Sequence, residues 1–407
     1  MKVISCVGFL CFIVNVGGLL KRDFFNGAWD FRGSYDFIIV GAGSAGSVLA
    51  NRLTENPKWE VLLIEAGDDE NLIQEIPMVV SYLQVSDKNW YDVTEPSNDY
   101  CLSMNNNSCF LAHGKGMGGT SSFNYMIWTR GNSRDYDNWD YNLGNPGWNY
   151  NNVSKYFKKI ERSFVEDRDF GYAGTSGPVS INYAKYRTGV ARSFVDAGVE
   201  IGDQMTDYNG DQQLGFSFMQ TSTSKGLRVS ANKAYINPAW VRPNLHIKKN
   251  CQCVKVLLDS VTKRVSGVQI DLKGTLYSVK ASKEVILSAG AMNTPQILML
   301  SGIGPREHLE SKGIKSIVDL PVGYNFQDHV APGGLSILVN TTTLTLKSIL
   351  NVRTVAQFLF SQNGPLTSNG GAEGISFHDT NPTVNQGWPD LELLLTGKFE
   401  FLSQNHL

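Results

Sequence analysis

Neither sign of charge dominates this 407-residue sequence, in which 36 lysines and arginines stand against 38 aspartates and glutamates for a formal net charge of −2. Runs of like charge are few as well, and this argues against a basic surface for nucleic acid. The sequence has no internal repeat, no collagen-like period and no heptad run, so solenoids, triple helices and coiled coils are excluded. Histidine and cysteine are scarce, at six each. Apolar residues and glycine are abundant. With 42% hydrophobic residues the chain can bury a large core in more than one domain, and its 40 glycines gather at turns rather than in a low-complexity tract.

At the N-terminus, Lys2 precedes an apolar stretch from Val3 to Val16 and then Gly17 and Gly18. That is the layout of a secretory signal peptide spanning residues 1–20, which predicts a secreted, extracellular protein with no membrane attachment after cleavage. An uncleaved anchor is the alternative, since Leu19 and Leu20 lengthen the run, although Ser5 and Asn15 weaken it. Cleavage removes Cys6 and Cys11. Cys101 and Cys109 bracket the polar loop "CLSMNNNSC", and an oxidising compartment predicts a disulfide there, with unpaired loop thiols as the alternative. Cys251 and Cys253 alternate along an expected strand and read as buried thiols. Glycosylation triplets at Asn106, Asn152 and Asn340 are compatible with secretion.

The stretch "DFIIVGAGSAGSVLANRL" carries the first chemical signal. Phe37 to Val40 form a continuous apolar run suited to a parallel strand covered on both faces. After the turn, Val48, Leu49 and Leu53 recur at helical spacing. Gly41 and Gly43 allow a tight turn and close approach of a pyrophosphate, Ser44 and Ala45 open the helix, and Gly46 permits close helix-to-strand packing. A helix N-terminus offers phosphates free N–H groups and partial positive charge. A second strand, Val61 to Ile64, ends at Glu65, where an acid meets a ribose hydroxyl in such units. The turn alone does not choose between FAD and NAD.

Two further blocks follow. In "HGKGMGGTSSFNYMIWTRG", Gly114, Gly116, Gly118 and Gly119 precede hydroxyl-bearing Thr120 and Ser121, and bulky residues from Phe123 to Trp128 belong indoors. In "KEVILSAGAMNTPQILMLSGIGP", Val285 to Leu287 predict a short buried strand, Gly290 a break, and Pro295 the first turn of a helix from Gln296 to Leu300.

Together with "VGYNFQDH" at 322–329 and "GPLTSNGGAE" at 364–373, these blocks stand in the order and approximate spacing of one family. From Tyr35 onward the chain resembles the glucose–methanol–choline (GMC) oxidoreductases, most of all the secreted insect group of FAD-dependent glucose dehydrogenases. The resemblance implies an α/β fold: a Rossmann-like FAD-binding domain with a parallel sheet (34–150 and 225–329), interleaved with an α+β substrate domain (151–224 and 330–407). It implies FAD rather than a nicotinamide, an alcohol or sugar as hydride donor, and a quinone or oxygen as electron acceptor. Glu65 would bind the adenosine ribose. Met117, Gly118, Gly119 and Thr120 would line the pyrophosphate with Asn124, Tyr125 and Met126 at the isoalloxazine, Cys253 would meet adenine through its backbone, and Asn293 and Asp328 would lie near the flavin or its ribityl chain. The family's covalent flavin link to histidine, two residues after the paired hydroxyl or thiol, is excluded, since Phe123 stands there.

One departure concerns the base. The family's catalytic histidine pair lies near the end of a longer chain, and "KFEFLSQNHL" at 398–407 resembles no such pair. The expectation is an incomplete substrate domain with an open sheet edge, a chain that does not oxidise alcohols by itself, and no catalytic assignment for His113, His246, His308, His329, His378 or His406. A short product acting as a binding or decoy protein is the alternative.

Overall fold

The computed structural model describes residues 31–331 and 336–397; residues 1–20, Cys6, Cys11 and His406 lie outside them. Its central element is a six-stranded sheet built from β1 (Ser34–Val40), β2 (Val61–Ile64), β3 (Leu245–Lys248), β4 (Gln252–Leu258), β5 (Val265–Leu272) and β6 (Thr275–Leu287), in the order β3-β2-β1-β6-β5-β4. β3, β2, β1 and β6 run parallel, and β6, β5 and β4 form an antiparallel meander. The apolar run of β1 has its physical reason in this arrangement. Ile38 packs into one core cluster with Leu62, Ile64 and Val268, while Ile39 packs into another with Leu63, Ala50 and Met117. With both faces covered, no position from Phe37 to Val40 is left for a polar residue, and the polar Ser34 and Asp36 stand in the less buried first half of the strand.

Helix α1 (Ser44–Leu53) follows β1, and α2 (Gly290–Leu300) follows β6. Here the structure corrects the sequence reading. β6 is thirteen residues long rather than short, and its last three, Val285 to Leu287, are only half-buried. α2 begins five residues before Pro295, which lies inside the helix. Gly290 starts the helix with φ +87°, and the hydroxyl of Thr294 accepts from the Ala289 N–H at 3.1 Å.

A second region holds a three-stranded antiparallel sheet of Gly215–Phe218, Ala372–His378 and Leu391–Thr396. The helix Gly189–Glu200 lies against it, with the Phe194 ring 5.0 Å from that of Phe216. In the outer strand Leu391, Leu393 and Leu394 are each more than 40% exposed. Buried Arg130 pairs with Glu161 and donates from Nε to Glu161 Oε1 at 2.7 Å. In the segment 138–150 three aromatics face solvent, Trp139, Tyr141 and Trp148 being 42%, 70% and 54% exposed.

Candidate functional site

A cleft of about 620 Å³ opens at the carboxyl ends of β1, β2 and β6, the place where open parallel sheets bind ligands. Gly41, Gly43, Ser44, Ala45, Glu65, Gly119, Thr120, Cys253 and Asn293 line it, and so do Trp90, His113, Ser288 and Thr294. The N-termini of α1 and α2 both face this space. Neither helix has a side-chain cap bond or an acid in its first turn, so first-turn N–H groups and the positive ends of two helix dipoles are available to an anion.

The three glycines of the first turn have different causes. At Gly41 (φ +96°) a Cβ would lie 2.5 Å from Ser288 O, and at Gly46 it would lie 1.9 Å from Gly41 O. These two residues are glycine because the protein's own backbone fills the space. Gly43 is different: its φ of −75° suits any residue, and the nearest atom to a Cβ there is Gly119 Cα at 3.9 Å. Nothing in the chain requires glycine at this position, yet it stands at the helix N-cap facing the cleft.

Glu65 is buried, and it ties three loops together. Oε1 accepts from the Gly67 and Gly116 N–H groups at 2.9 and 3.1 Å, and Oε2 accepts from the Ala42 N–H at 2.9 Å. Burial pushes its carboxyl above the ordinary value, while these three donors pull it down. A carboxylate has about four acceptor positions, so one on Oε2 remains for a ligand hydroxyl. The glycine block is fastened by backbone bonds as well, from Met117 N–H to Asp68 O at 2.9 Å and from Gly118 N–H to Ala42 O at 2.8 Å. Met117 is fully buried below the cleft, and Gly118 (φ +90°) faces Ser122 and Asn232 rather than the opening. Cys251 and Cys253 are free thiols. Burial pushes both up to about 12, so they stay protonated and unreactive at neutral pH.

Asn124, Tyr125 and Met126 form a separate turn that does not line this cleft. Met126 is buried at φ +59°, a strained conformation for a long side chain. Asn124 Oδ1 supports it by accepting from the Met126 N–H at 3.0 Å and from Arg228 Nη1 at 2.9 Å. Arg228, 1% exposed, also donates to Gln74 O at 2.7 Å and Ser121 O at 3.2 Å. Burial lowers its guanidinium to about 10. From the other side Asn369 donates to Tyr125 O at 3.3 Å. Arg228 Nη2 and Asn369 Oδ1 are buried without a partner, and orphaned polar atoms of this kind point to a group that completes them. Sequence reading missed Arg228, because its partners are distant in the chain. Asp328 is exposed, bonded only locally to the His329 N–H at 2.8 Å, and is not brought to the cleft.

The described histidines are dispersed. His246 on β3 meets Glu60 at 2.7 Å, His378 bonds Ser376 at 2.9 Å, and His308 lies on the helix Arg306–Ser311. His113 alone among them lines the cleft, with Nε2 2.6 Å from Asp92 Oδ2. It lies two residues past a short antiparallel pair of Asp92–Val93 and Phe110–Leu111, in whose connection Cys101 and Cys109 form the expected disulfide. No group of three or more potential metal ligands is present among the described residues.

Comparison with known proteins places these features. A family model described as GMC oxidoreductase matches residues 35–331. The chain is 38% identical over 366 residues to a glucose dehydrogenase (FAD, quinone) of Drosophila pseudoobscura pseudoobscura, covering 89% of this chain and 58% of that protein. It is 37% identical to an oxygen-dependent choline dehydrogenase of Rhizobium rhizogenes, covering 88% of this chain and 64% of the relative. Among solved structures, pyridoxine 4-oxidase from Mesorbium loti superposes with a TM-score of 0.74 at 26% identity, over 85% of this chain and 63% of the other. The chain thus spans less than two thirds of the length of these relatives.

Proposed function

The chain belongs to the GMC oxidoreductase family, and from that premise we propose that its cleft holds FAD for the oxidation of alcohol or sugar CH–OH groups, with a quinone or oxygen as electron acceptor. The observation that carries this reading is Gly43, a glycine that the protein does not need and a pyrophosphate does. The residues present fit the cofactor along its length. The α1 N-terminus takes the pyrophosphate with Gly119 and Thr120, and Glu65 Oε2 accepts from the adenosine ribose. The backbone of Cys253 borders adenine, and Asn293 borders the ribityl side. The orphaned atoms at Arg228 and Asn369, beside the turn of Asn124 to Met126, support the isoalloxazine there. Bound FAD would supply the hydride acceptor.

The protein's part is to orient, to exclude water and to handle the hydroxyl proton. No described histidine is assigned as that base, because His246 and His378 have partners elsewhere and His113 lies at the mouth of the dinucleotide cleft. The proposal therefore includes that the described residues alone do not oxidise alcohols. Secretion is also part of it, supported by the Cys101–Cys109 disulfide; no described helix is long and apolar enough to cross a membrane. Titration of apo-protein with FAD and with NAD, followed by flavin fluorescence and calorimetry, should show saturable binding of FAD only. Preference for NAD would overturn the cofactor reading. Anaerobic addition of glucose, choline or simple alcohols should leave the bound flavin unbleached, and rapid bleaching would locate a base among these residues after all.

A further inference from the structure

The loop closed by the Cys101–Cys109 disulfide is held at its base and open everywhere else. The two cysteine Cα atoms lie 5.5 Å apart. Thr94 N–H donates to Cys109 O at 2.9 Å, Cys109 N–H to Thr94 Oγ1 at 2.9 Å, and Ser97 N–H to Asn107 O at 3.1 Å. None of residues 101–109 is buried and none lines the cleft. Leu102 and Met104, 61% and 39% exposed, have no core to enter.

Beyond them comes the acceptor triplet Asn106-Asn107-Ser108. Asn106 is exposed and left-handed, at φ 56° and ψ 23°, a conformation asparagine tolerates better than most residues. That bend returns the chain on itself, and the Ser108 hydroxyl donates to Asn106 O at 3.3 Å. A glycan acceptor needs its asparagine and its hydroxyl together on an accessible stretch of surface chain. The triplet at Asn152 is built otherwise. Asn152 is the third residue of the helix Tyr150–Ile160, with its N–H bonded to Asn149 Oδ1 at 3.1 Å, and the Ser154 hydroxyl donates to Asn151 O at 3.3 Å. On a helix, residues two apart do not face each other.

We propose that Asn106 is a modification site that takes an N-linked oligosaccharide in preference to Asn152, an inference that rests on the secretion proposed above and deepens it. Nδ2 of Asn106 forms a bond to the anomeric carbon of a diphosphate-activated oligosaccharide, the bond from that carbon to the diphosphate breaks, and Nδ2 gives up one proton as the diphosphate leaves. The bulky, hydrated sugar then shares a loop with exposed Leu102 and Met104 and meets neither core nor cleft.

The test is expression of the full chain in a eukaryotic secretory host, once with its own N-terminus and once behind the leader of another secreted protein. Secreted protein is treated with an amidase that removes N-linked glycans in heavy-oxygen water, which turns each occupied asparagine into a labelled aspartate, and its reduced peptides are read by mass spectrometry. Most of Asn106 should be labelled, and Asn152 several-fold less. Asn106→Gln and Ser108→Ala should abolish the label in this loop, while Ser108→Thr, which keeps the hydroxyl, should retain it. Protein secreted behind the added leader with Asn106 unlabelled, or with Asn152 labelled as fully, would overturn the inference and leave the secretion reading standing. Labelled Asn106 behind the added leader, with the chain's own N-terminus failing to export it, would sustain the acceptor site and count against secretion.

Discussion

The two turns assigned to the cofactor are built by opposite means. In the dinucleotide turn the constraints are backbone against backbone: Gly41 against Ser288, Gly46 against Gly41 and Gly119 against Gly43. In the turn of Asn124 to Met126 the constraints are side chains from distant segments, with Arg228 reaching Gln74, Ser121 and Asn124, and Asn369 reaching Tyr125. The first turn is marked within a few residues, because a missing side chain is a local property even where the backbone it meets, as at Ser288 and Gly119, is remote in the chain. The second exists only once the chain has folded.

Substitutions can break this contrast. Arg228→Met should have the largest effect, since it takes a donor from buried Gln74 O, from Ser121 O and from Asn124 Oδ1, which keeps only the Met126 N–H. At about 1–3 kcal/mol for each unsatisfied group, partly relieved by relaxation, the loss should be roughly 3–5 kcal/mol, read from denaturant unfolding. A loss below about 1 kcal/mol would mean that local sequence suffices for the second turn too. Gly46→Ala comes next. Its Cβ meets backbone that cannot rotate away, so overpacking should cost about 3 kcal/mol, seen as a fall in Tm of the apo-protein; an unchanged Tm would show that the helix can shift. Glu65→Gln should have the smallest effect. The amide replaces one carboxylate oxygen by a donor, so FAD affinity should fall by about 2 kcal/mol and apo stability should fall too, because the same group ties Ala42, Gly67 and Gly116. Loss of affinity with full stability would make Glu65 a ligand group only.

The contrast also explains what could be read from the sequence. Strand, glycine turn, helix and acid were legible from Phe37 to Glu65, because apolar runs and glycines report burial and close approach directly. The bracketing of a polar loop by Cys101 and Cys109 was legible for a similar reason. Arg228 was not, since nothing in its own neighbourhood marks it as the support of a turn a hundred residues earlier. The start of α2 was misjudged because Pro295 was given its commonest position, whereas the structure carries it inside the helix.

Gly43 is where the account is most exposed. Gly43→Val adds a side chain where the chain itself has room and a pyrophosphate would lie, so two readings should separate in a single preparation. The apo-protein should melt within about 0.5 kcal/mol of the wild type, while FAD titration should show affinity reduced by at least about a hundredfold. FAD binding equal to that of the wild type, in a variant that folds equally well, would contradict the placement of the cofactor at this turn.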